Sequence, residues 1–280
     1  MKHKKMLALT LFLALLISLC ACGAKEAPPV EQESDKTELI VFAAASMTET
    51  LTELGNSYMA EHENVAIVFN FDSSGTLKKQ IEEGADCDIL ISAGQKQMDQ
   101  LDISADPAVN TDGLDFVLES SRFNILENKV ALAVPEGNPA GINSYDDLIA
   151  GLKDGSILLA MGNSDVPVGQ YTQKLLKHFE LVEKDLASAG VITYGSNVKE
   201  VTTQVSEAVV DCGIIYQTDA FSAGLTVVDT ATAEMCGQVI YPAAVMNISK
   251  NAEAAKAFLE YLTTAEADAV FENVGFTPVA

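Results

Sequence analysis

The residues of this chain with the clearest chemical potential stand in short turns that follow apolar segments. Ser46 closes "AAAS", Ser73 and Ser74 stand in "DSSG", and Val168 stands in "VPVG". Each turn precedes a segment with helical spacing, and the first N–H groups of a helix lack intrahelical partners and carry partial positive charge. Small neutral residues also let a ligand approach the backbone closely. Several such turns around one cleft would form an anion site made of hydrogen-bond donors.

The same turns have a plainer interpretation as helix caps. Ser46 followed by Glu49 fits a capping box, and so does Asn197 followed by Glu200. Pro167 suits the first turn of a helix, where its missing N–H costs nothing. A single turn of this kind is ordinary, so the anion-site hypothesis requires that several of these turns meet at one cleft.

A serine hydrolase is a remote alternative for the same residues. Ser74 could act as a nucleophile, but the chain has no GxSxG motif. Outside the first 21 residues only His62 and His178 are present, and both lie on polar stretches near predicted helix ends. We therefore predict that the chain is not an enzyme.

Three cysteines lie beyond the N-terminal segment: Cys87, Cys212 and Cys236. None belongs to a CxxC motif, and their spacing supports neither a zinc site nor a disulfide framework. Cys87 stands between Asp86 and Asp88, which is a conceivable metal-binding group, but its apolar segment favours a buried small residue.

The elements that must position these turns repeat one pattern: an apolar strand, a short turn and an amphipathic helix. The pattern predicts an α/β fold of mixed, mainly parallel sheets with helices on both faces, and ligands at the carboxyl ends of strands. The last segment, "AEAAKAFLEYLTTAEADAVFENV", is predicted as one closing helix, and residues 102–127 are less regular. Four segments begin such a unit with a predicted strand and its turn: "ELIVFAAAS", "VAIVFNFDSSG", "CDILISAG" and "SILLAMGNSDVPVG". Further along the chain we predict a helix at "NVKEVTTQVSEAVV" and strands at "CGIIYQT" and "QVIYPAAVM".

The N-terminus is typical of a bacterial lipoprotein. Residues 1–21 combine basic residues, an apolar run and the ending "LCAC", so they are predicted to be a signal peptide that leaves Cys22 as the lipid-bearing N-terminus. A transmembrane anchor is the alternative, for which the run is short. Residues 22–37 are polar and proline-containing and predict a flexible tether.

The charge limits the partners. The whole chain carries −23, and loss of the three lysines in residues 1–21 would take it to −26. Nucleic acid and anionic membrane surfaces are therefore unsuitable partners. A small anion is not excluded, because salt screens the global field within about 10 Å whereas donors act at contact distance.

The motifs "VFAAASMTETL", "FDSSGTLKKQIEEGADCDILISAGQKQMDQL", "VPVGQY" and "GIIYQTDA" resemble those of the molybdate-binding proteins of ABC importers. The resemblance covers most of residues 38–280. It implies a two-lobed, class II periplasmic-binding-protein fold that holds a tetrahedral oxyanion in its cleft. By motif, Ser46 and Ser74 would each donate a hydroxyl and an N–H, Val168 and Val198 would each donate an N–H, and Tyr216 would donate its hydroxyl.

The resemblance also implies the biological setting. The ligand would be molybdate, with tungstate expected to bind as well; no cofactor is implied, and the partner would be the permease of the transporter. We expect a monomer outside the cytoplasmic membrane that is attached only by its lipid. Alternatives are another oxyanion, such as sulfate or phosphate, an organic anion, or the effector domain of a transcription regulator. Asp72 departs from the family pattern, because a small neutral residue is expected there.

The two lobes are expected to be discontinuous in sequence. "KVALAVP" would carry the chain into the second lobe and "VIYPAAVM" would bring it back. The predicted division is 38–130 plus 241–280 for the first lobe and 131–240 for the second.

Overall fold

The computed structural model of the protein describes residues 36–280. The predicted signal peptide, Cys22 and all of the predicted tether except its last two residues lie outside the described residues. Thr37, which the sequence places at the end of the predicted tether, is the first residue of a strand. Among residues 36–280 no helix combines the length and the apolar character needed to cross a membrane.

Eleven strands and eleven α-helices make up the described part of the chain. The strands are β1 Thr37–Ala44, β2 Val65–Asp72, β3 Ile89–Ile91, β4 Phe123–Asn128, β5 Val130–Val134, β6 Leu159–Gly162, β7 Ile192–Gly195, β8 Cys212–Tyr216, β9 Thr226–Thr230, β10 Val239–Val245 and β11 Thr277–Pro278. The helices are α1 Thr48–Glu61, α2 Ser74–Glu82, α3 Gln95–Asp99, α4 Tyr145–Asp154, α5 Pro167–His178, α6 Glu183–Ser188, α7 Val198–Ser206, α8 Gln217–Ser222, α9 Ala233–Cys236, α10 Ala252–Tyr261 and α11 Ala265–Val274.

The strands form two sheets, and each sheet is the centre of one lobe. The first lobe has the order β11-β4-β10-β3-β1-β2, and the second has the order β7-β6-β8-β5-β9. The chain enters the second sheet between β4 and β5 and returns to the first between β9 and β10. This two-lobed α/β architecture is the predicted fold class, while the lobe boundaries at the level of single residues stay a prediction.

The sheets are mixed, with a larger antiparallel share than the sequence pattern indicated. β1 pairs in parallel with β2 and β3, and β6 pairs in parallel with β7 and β8. Antiparallel pairs arise where β10 lies between β3 and β4, where β11 joins β4, and where β5 lies between β8 and β9. The strands that carry the chain between lobes thus run against their neighbours, which a list of strand–turn–helix units does not reveal.

The predicted closing helix is in fact two helices. α10 ends at Tyr261 and α11 begins at Ala265, and the hydroxyl of Thr264 caps α11 by accepting the N–H of Ala267 at 3.4 Å. Two adjacent threonines favour a break here, because a β-branched hydroxyl residue caps a helix better than it continues one.

Parallel pairing places the predicted turns side by side. Ala44, the last residue of β1, is in register with Asp72, the last residue of β2. In the second lobe Gly162 of β6 is in register with Gly195 of β7. The helices that follow these strands therefore begin at the same edge of their sheet, which is where the candidate residues lie.

Candidate functional site

All five predicted site residues line one small cavity between the lobes. Ser46 lies in a 3₁₀ turn between β1 and α1, and Ser74 is the first residue of α2. Val168 is the second residue of α5, Val198 is the first of α7, and Tyr216 is the last of β8. The structure thus brings the five residues together, while their role in binding stays a prediction.

The cavity is small and has few charges in its wall. It measures about 10 Å³, which by the same kind of measure is the room needed by about one water molecule. Apart from the five residues and Ser73, its wall consists of one acid, Asp72, and the apolar residues Ala44, Ala45, Ala93, Val166 and Pro167. Larger clefts of about 360 and 720 Å³ lie elsewhere on the first lobe and do not include these helix starts. A cavity of this size leaves no room for an organic ligand in this arrangement of the lobes.

Ser74 is positioned as a donor. It is fully buried, and its Oγ accepts the backbone N–H of Ala93 at 2.9 Å. The neighbouring Ser73 has a different role, because it is the N-cap of α2 and its Oγ accepts the N–H of Thr76. With its acceptor side occupied, the hydroxyl proton of Ser74 remains available to a ligand.

Ser46 does not cap a helix, which corrects the capping-box prediction. α1 begins only at Thr48, its cap residue is Met47, and no side chain makes the capping bond. The Oγ of Ser46 lies 2.8 Å from the hydroxyl of Tyr241 instead. Sequence reasoning did not anticipate Tyr241, since it stands in the middle of an apolar strand and has no motif around it.

The two valines offer backbone N–H groups. None of the hydrogen bonds between described residues uses the N–H of Val168 or Val198, as their positions in the first turns of α5 and α7 require. Pro167 occupies the predicted first position of α5. Asn197 caps α7, because its Oδ1 accepts the N–H of Glu200 at 3.0 Å. The predicted capping box is incomplete, since the Glu200 carboxylate accepts the N–H of Ser196 at 2.7 Å and not that of Asn197.

Gly169 explains how α5 comes so close to its strand. A Cβ atom built at this position would lie 2.1 Å from the carbonyl oxygen of Asn163 and 2.3 Å from that of Gly162. Any side chain would therefore push α5 away from the end of β6 and move the Val168 N–H with it.

Tyr216 supplies the most informative group in the cavity. Its side chain is 1 % exposed, and its hydroxyl finds no hydrogen-bond partner among the described residues. Burial raises the pKa of Tyr216 well above its usual range, so the hydroxyl stays protonated. A buried polar group without a partner is costly, and a ligand that accepts a hydrogen bond would satisfy it.

Asp72 does line the cavity, as its position in the sequence suggested. Its Oδ1 accepts the N–H of Ser73 at 2.7 Å and the side-chain amide of Asn197 at 3.3 Å. These two donors offset part of its negative charge, and the second of them belongs to the other lobe.

Other contacts also join the lobes next to the cavity. Lys199 of α7 places its Nζ 2.8 Å from Glu49 of α1 and 3.2 Å from the buried Asp219 of α8. Gly75 of α2 faces the backbone of Asp165, whose carbonyl oxygen would lie 2.1 Å from a Cβ atom at that position. Glycine therefore permits this approach of the two lobes.

The groups considered for other chemistry lie away from the cavity. His62 follows the end of α1, where its ring stacks on Tyr58 at 4.0 Å, and His178 ends α5 at the far side from Val168. The three cysteines are free and buried, and burial raises the pKa of the Cys87 thiol to about 12. Within residues 36–280 no cluster of three or more potential metal ligands is present.

Two lobes around a small cavity lined by helix starts define the class of two-lobed solute-binding proteins. The chain belongs to a particular family of that class, the bacterial extracellular solute-binding proteins, whose sequence model matches residues 39–277. The prediction that the chain is not an enzyme is confirmed by this membership, because the family consists of binding proteins.

Two relatives illustrate the family. YvgL of Bacillus subtilis, named as a substrate-binding lipoprotein of an ABC transporter, is 30 % identical over 96 % of this chain and 97 % of its own length. The molybdate-binding protein ModA of Haemophilus influenzae is 31 % identical over 86 % of this chain and 90 % of its own length. The resemblance to molybdate-binding proteins that the sequence motifs indicated is thereby confirmed.

Solved structures confirm the fold. The periplasmic molybdate-binding protein of Azotobacter vinelandii superposes with a TM-score of 0.73 at 22 % identity, covering 86 % of this chain and all of that one. The sulfate-binding protein SubI of Mycobacterium tuberculosis gives 0.67 at 18 % identity, covering 87 % of each chain. At these identities the similarity concerns the fold alone.

Proposed function

We propose that the protein binds molybdate, and tungstate with it, outside the cytoplasmic membrane and delivers the anion to the permease of an ABC importer. The observation that carries the proposal is the set of five donor residues around one small cavity, with the unpartnered Tyr216 hydroxyl among them. A fully deprotonated oxyanion can only accept hydrogen bonds, so a wall of hydroxyl and N–H donors suits it without a counter-charge. The ModA relatives are named for the same ligand.

Sulfate is the second candidate. It has the charge and shape of molybdate, and a sulfate-binding protein shares the fold. The donor wall suits both anions, so size must separate them. Protonated phosphate is a weaker candidate, since its hydroxyl needs an acceptor and Asp72 is the only carboxylate in the cavity wall.

The test is a calorimetric titration of the purified protein with molybdate, tungstate, sulfate and phosphate. We expect tight binding of the first two and weaker binding of sulfate. Tyr216→Phe removes only the unpartnered hydroxyl and should weaken molybdate binding about 10-fold or more, as loss of a bond to a charged group does. Equal or tighter binding of sulfate would assign the protein to sulfate instead.

We further propose that Cys22 carries the lipid that holds the protein at the membrane, as a monomer. The motif "LCAC" and a relative that is named as a lipoprotein support the lipid attachment. Cys22→Ala should release the protein into the soluble fraction, because attachment rests on acyl chains. Retention of that variant in the membrane fraction would contradict the proposal.

A further inference from the structure

We infer that Tyr241 and Asn128 are positioning residues for the oxyanion, because they form a one-way chain of hydrogen bonds that turns the hydroxyl proton of Ser46 into the cavity. This inference rests on the proposed function. The chain runs from the Asn128 amide to the Tyr241 hydroxyl at 3.2 Å and from there to Ser46 Oγ at 2.8 Å. Asn128 and Tyr241 are 3 % and 0 % exposed, so water does not compete with these bonds.

The orientation of the Asn128 amide starts the chain. Its Oδ1 accepts the backbone N–H of Lys129 at 2.8 Å, and its Nδ2 donates to Thr218 Oγ1 at 2.9 Å and to Tyr241. The flipped amide would set its NH₂ against the Lys129 N–H, donor against donor. The backbone therefore determines which end of the amide faces the tyrosine.

The direction of the next bond follows from counting protons. The phenol oxygen of Tyr241 receives the Asn128 N–H, and its own proton has only Ser46 Oγ as an acceptor among the described residues. If Ser46 were the donor instead, the buried phenol proton would be left without a partner, which is costly. Tyr241 therefore donates to Ser46, and the proton of Ser46 is free for the cavity.

This arrangement gives the two serines the same property by different means. Ser74 has its acceptor side occupied by the backbone N–H of Ala93, and Ser46 has it occupied by Tyr241. A serine hydroxyl can ordinarily either donate or accept. Here both are committed as donors, which suits an anion with no proton of its own.

The surrounding fold holds Tyr241 at the required place. The pairing of β10 with β4 shifts register between Tyr241 and Pro242, and such a bulge re-aims the side chain next to it. The Tyr241 ring packs edge-on against Phe276 at 5.4 Å and against Tyr216 at 6.0 Å. Removal of its hydroxyl alone would therefore leave the ring packing in place.

The test is a double-mutant cycle of Tyr241→Phe and Ser46→Ala, with molybdate as the probe in calorimetry. In the parent background Tyr241→Phe should weaken binding about 3- to 10-fold, the scale of one hydrogen bond. In the Ser46→Ala background it should have no further effect, because the chain then has nothing to orient. Tyr145→Phe is the matched control, since it removes a hydroxyl from another buried tyrosine that does not line the cavity.

Asn128→Asp provides a second cycle if Tyr241→Phe does not fold. It replaces the donating amide by an acceptor, so Tyr241 would donate to it and no longer to Ser46. The added charge would weaken binding in both Ser46 backgrounds, whereas the loss of orientation would appear only when Ser46 is present.

The outcomes separate this inference from the proposed function. If the parent binds molybdate and Tyr241→Phe has no effect, or the same effect in both Ser46 backgrounds, the positioning chain is wrong and the proposed function stands. If the parent binds none of molybdate, tungstate and sulfate, both fall together.

Discussion

At the scale of single residues, Ser73 and Ser74 are adjacent and chemically identical but have separate roles. Ser73 caps α2, and Ser74 faces the cavity with its acceptor side occupied by Ala93. Ser74→Ala should weaken molybdate binding by about 1.5–3 kcal/mol, or roughly 10- to 150-fold, as expected for one donor to a charged group. Ser73→Ala should instead lower the free energy of unfolding by about 1 kcal/mol, with a smaller effect on binding.

Titration calorimetry and chemical denaturation of both variants would separate these effects. Equal losses of affinity would mean that the cap and the donor have been assigned wrongly.

Asp72 is the one acid in the cavity wall, and it should oppose a dianion. Asp72→Asn keeps the size of the side chain and an oxygen that can accept from Ser73 and Asn197. We expect it to strengthen molybdate binding about fivefold, because removal of a nearby like charge is on the order of 1 kcal/mol. The same variant should bind hydrogen phosphate more weakly than the parent if Asp72 serves as the acceptor for its hydroxyl. Weaker molybdate binding by this variant would indicate that the role of Asp72 at the cavity is structural.

Asp219 should make the stability depend on pH. Burial raises its pKa to about 6 despite the nearby Lys199, whereas the unfolded value is about 3.9. Because the folded pKa is the higher one, the contribution of this group is fully favourable below the unfolded pKa and is lost as the pH rises through about 6. The free energy of unfolding of Asp219→Asn should therefore rise, relative to that of the parent, by about 2–3 kcal/mol as the pH increases from 4 to 7.

Urea denaturation at a series of pH values measures this difference. Tyr216 and Tyr241 also interact electrostatically with Asp219, but burial raises the pKa of both hydroxyls well above the usual range, so neither titrates between pH 5 and 7. A difference that stays constant from pH 4 to pH 7 would show that Asp219 ionises normally.

At the scale of elements, the sequence predicted secondary structure best where a long apolar run ends in a clear turn signal. Strand, turn and helix around Ser74 and Val168 are as predicted, because apolar runs of four or more residues end in Gly- and Pro-containing turns. The strands β4, β7 and β9 were not anticipated, because their sequences "FNILEN", "ITYG" and "TVVDT" mix polar and apolar residues and contain no apolar run of four. The split between α10 and α11 was missed for a related reason, because the apolar spacing continues across it.

The candidate site was likewise predictable only where local motifs mark its residues. Local motifs identified five residues that the structure gathers around one cavity. The positions of Tyr241 and Asn128 depend on pairing between strands far apart in the chain, and nothing local to either residue marks them. Tertiary proximity of this kind is not encoded in any short window of sequence.

The start of α5 gives a prediction about backbone chemistry. If Val168 acts through its N–H, Val168→Ala should bind molybdate nearly as well as the parent. Val168→Pro removes that N–H at a position in the first helical turn, where proline is tolerated. It should bind about 10-fold or more weakly, the scale of a lost bond to a charged ligand. Circular dichroism serves as the control for folding, and a folded Val168→Pro variant with parent-like affinity would contradict the assignment.

At the scale of the whole molecule, the ligand is expected to act by joining two lobes. Donors to the cavity come from both sheets, so an anion that touches all of them stabilises the arrangement in which the lobes meet. The pair Glu49–Lys199 already bridges the lobes at 2.8 Å beside the cavity, and Lys199 is held from the other side by Asp219. Burial opposes the charge of Lys199, but the two acids raise its pKa, so the ammonium form is retained.

Glu49→Gln removes this bridge and should speed the release of molybdate. The Glu49 side chain is 52 % exposed, so the pair is screened by solvent and its loss should cost at most about 1 kcal/mol, or roughly fivefold in dissociation rate. Glu53→Gln is the matched control, because it makes the same charge change one turn further along α1, on an exposed side chain that forms no ion pair within residues 36–280. Stopped-flow measurement at low and high salt compares the two. Added salt should raise the dissociation rate of the parent towards that of Glu49→Gln, since it screens the same pair. Equal rates for the two variants would show that the effect comes from net charge and that the bridge does not hold the lobes together.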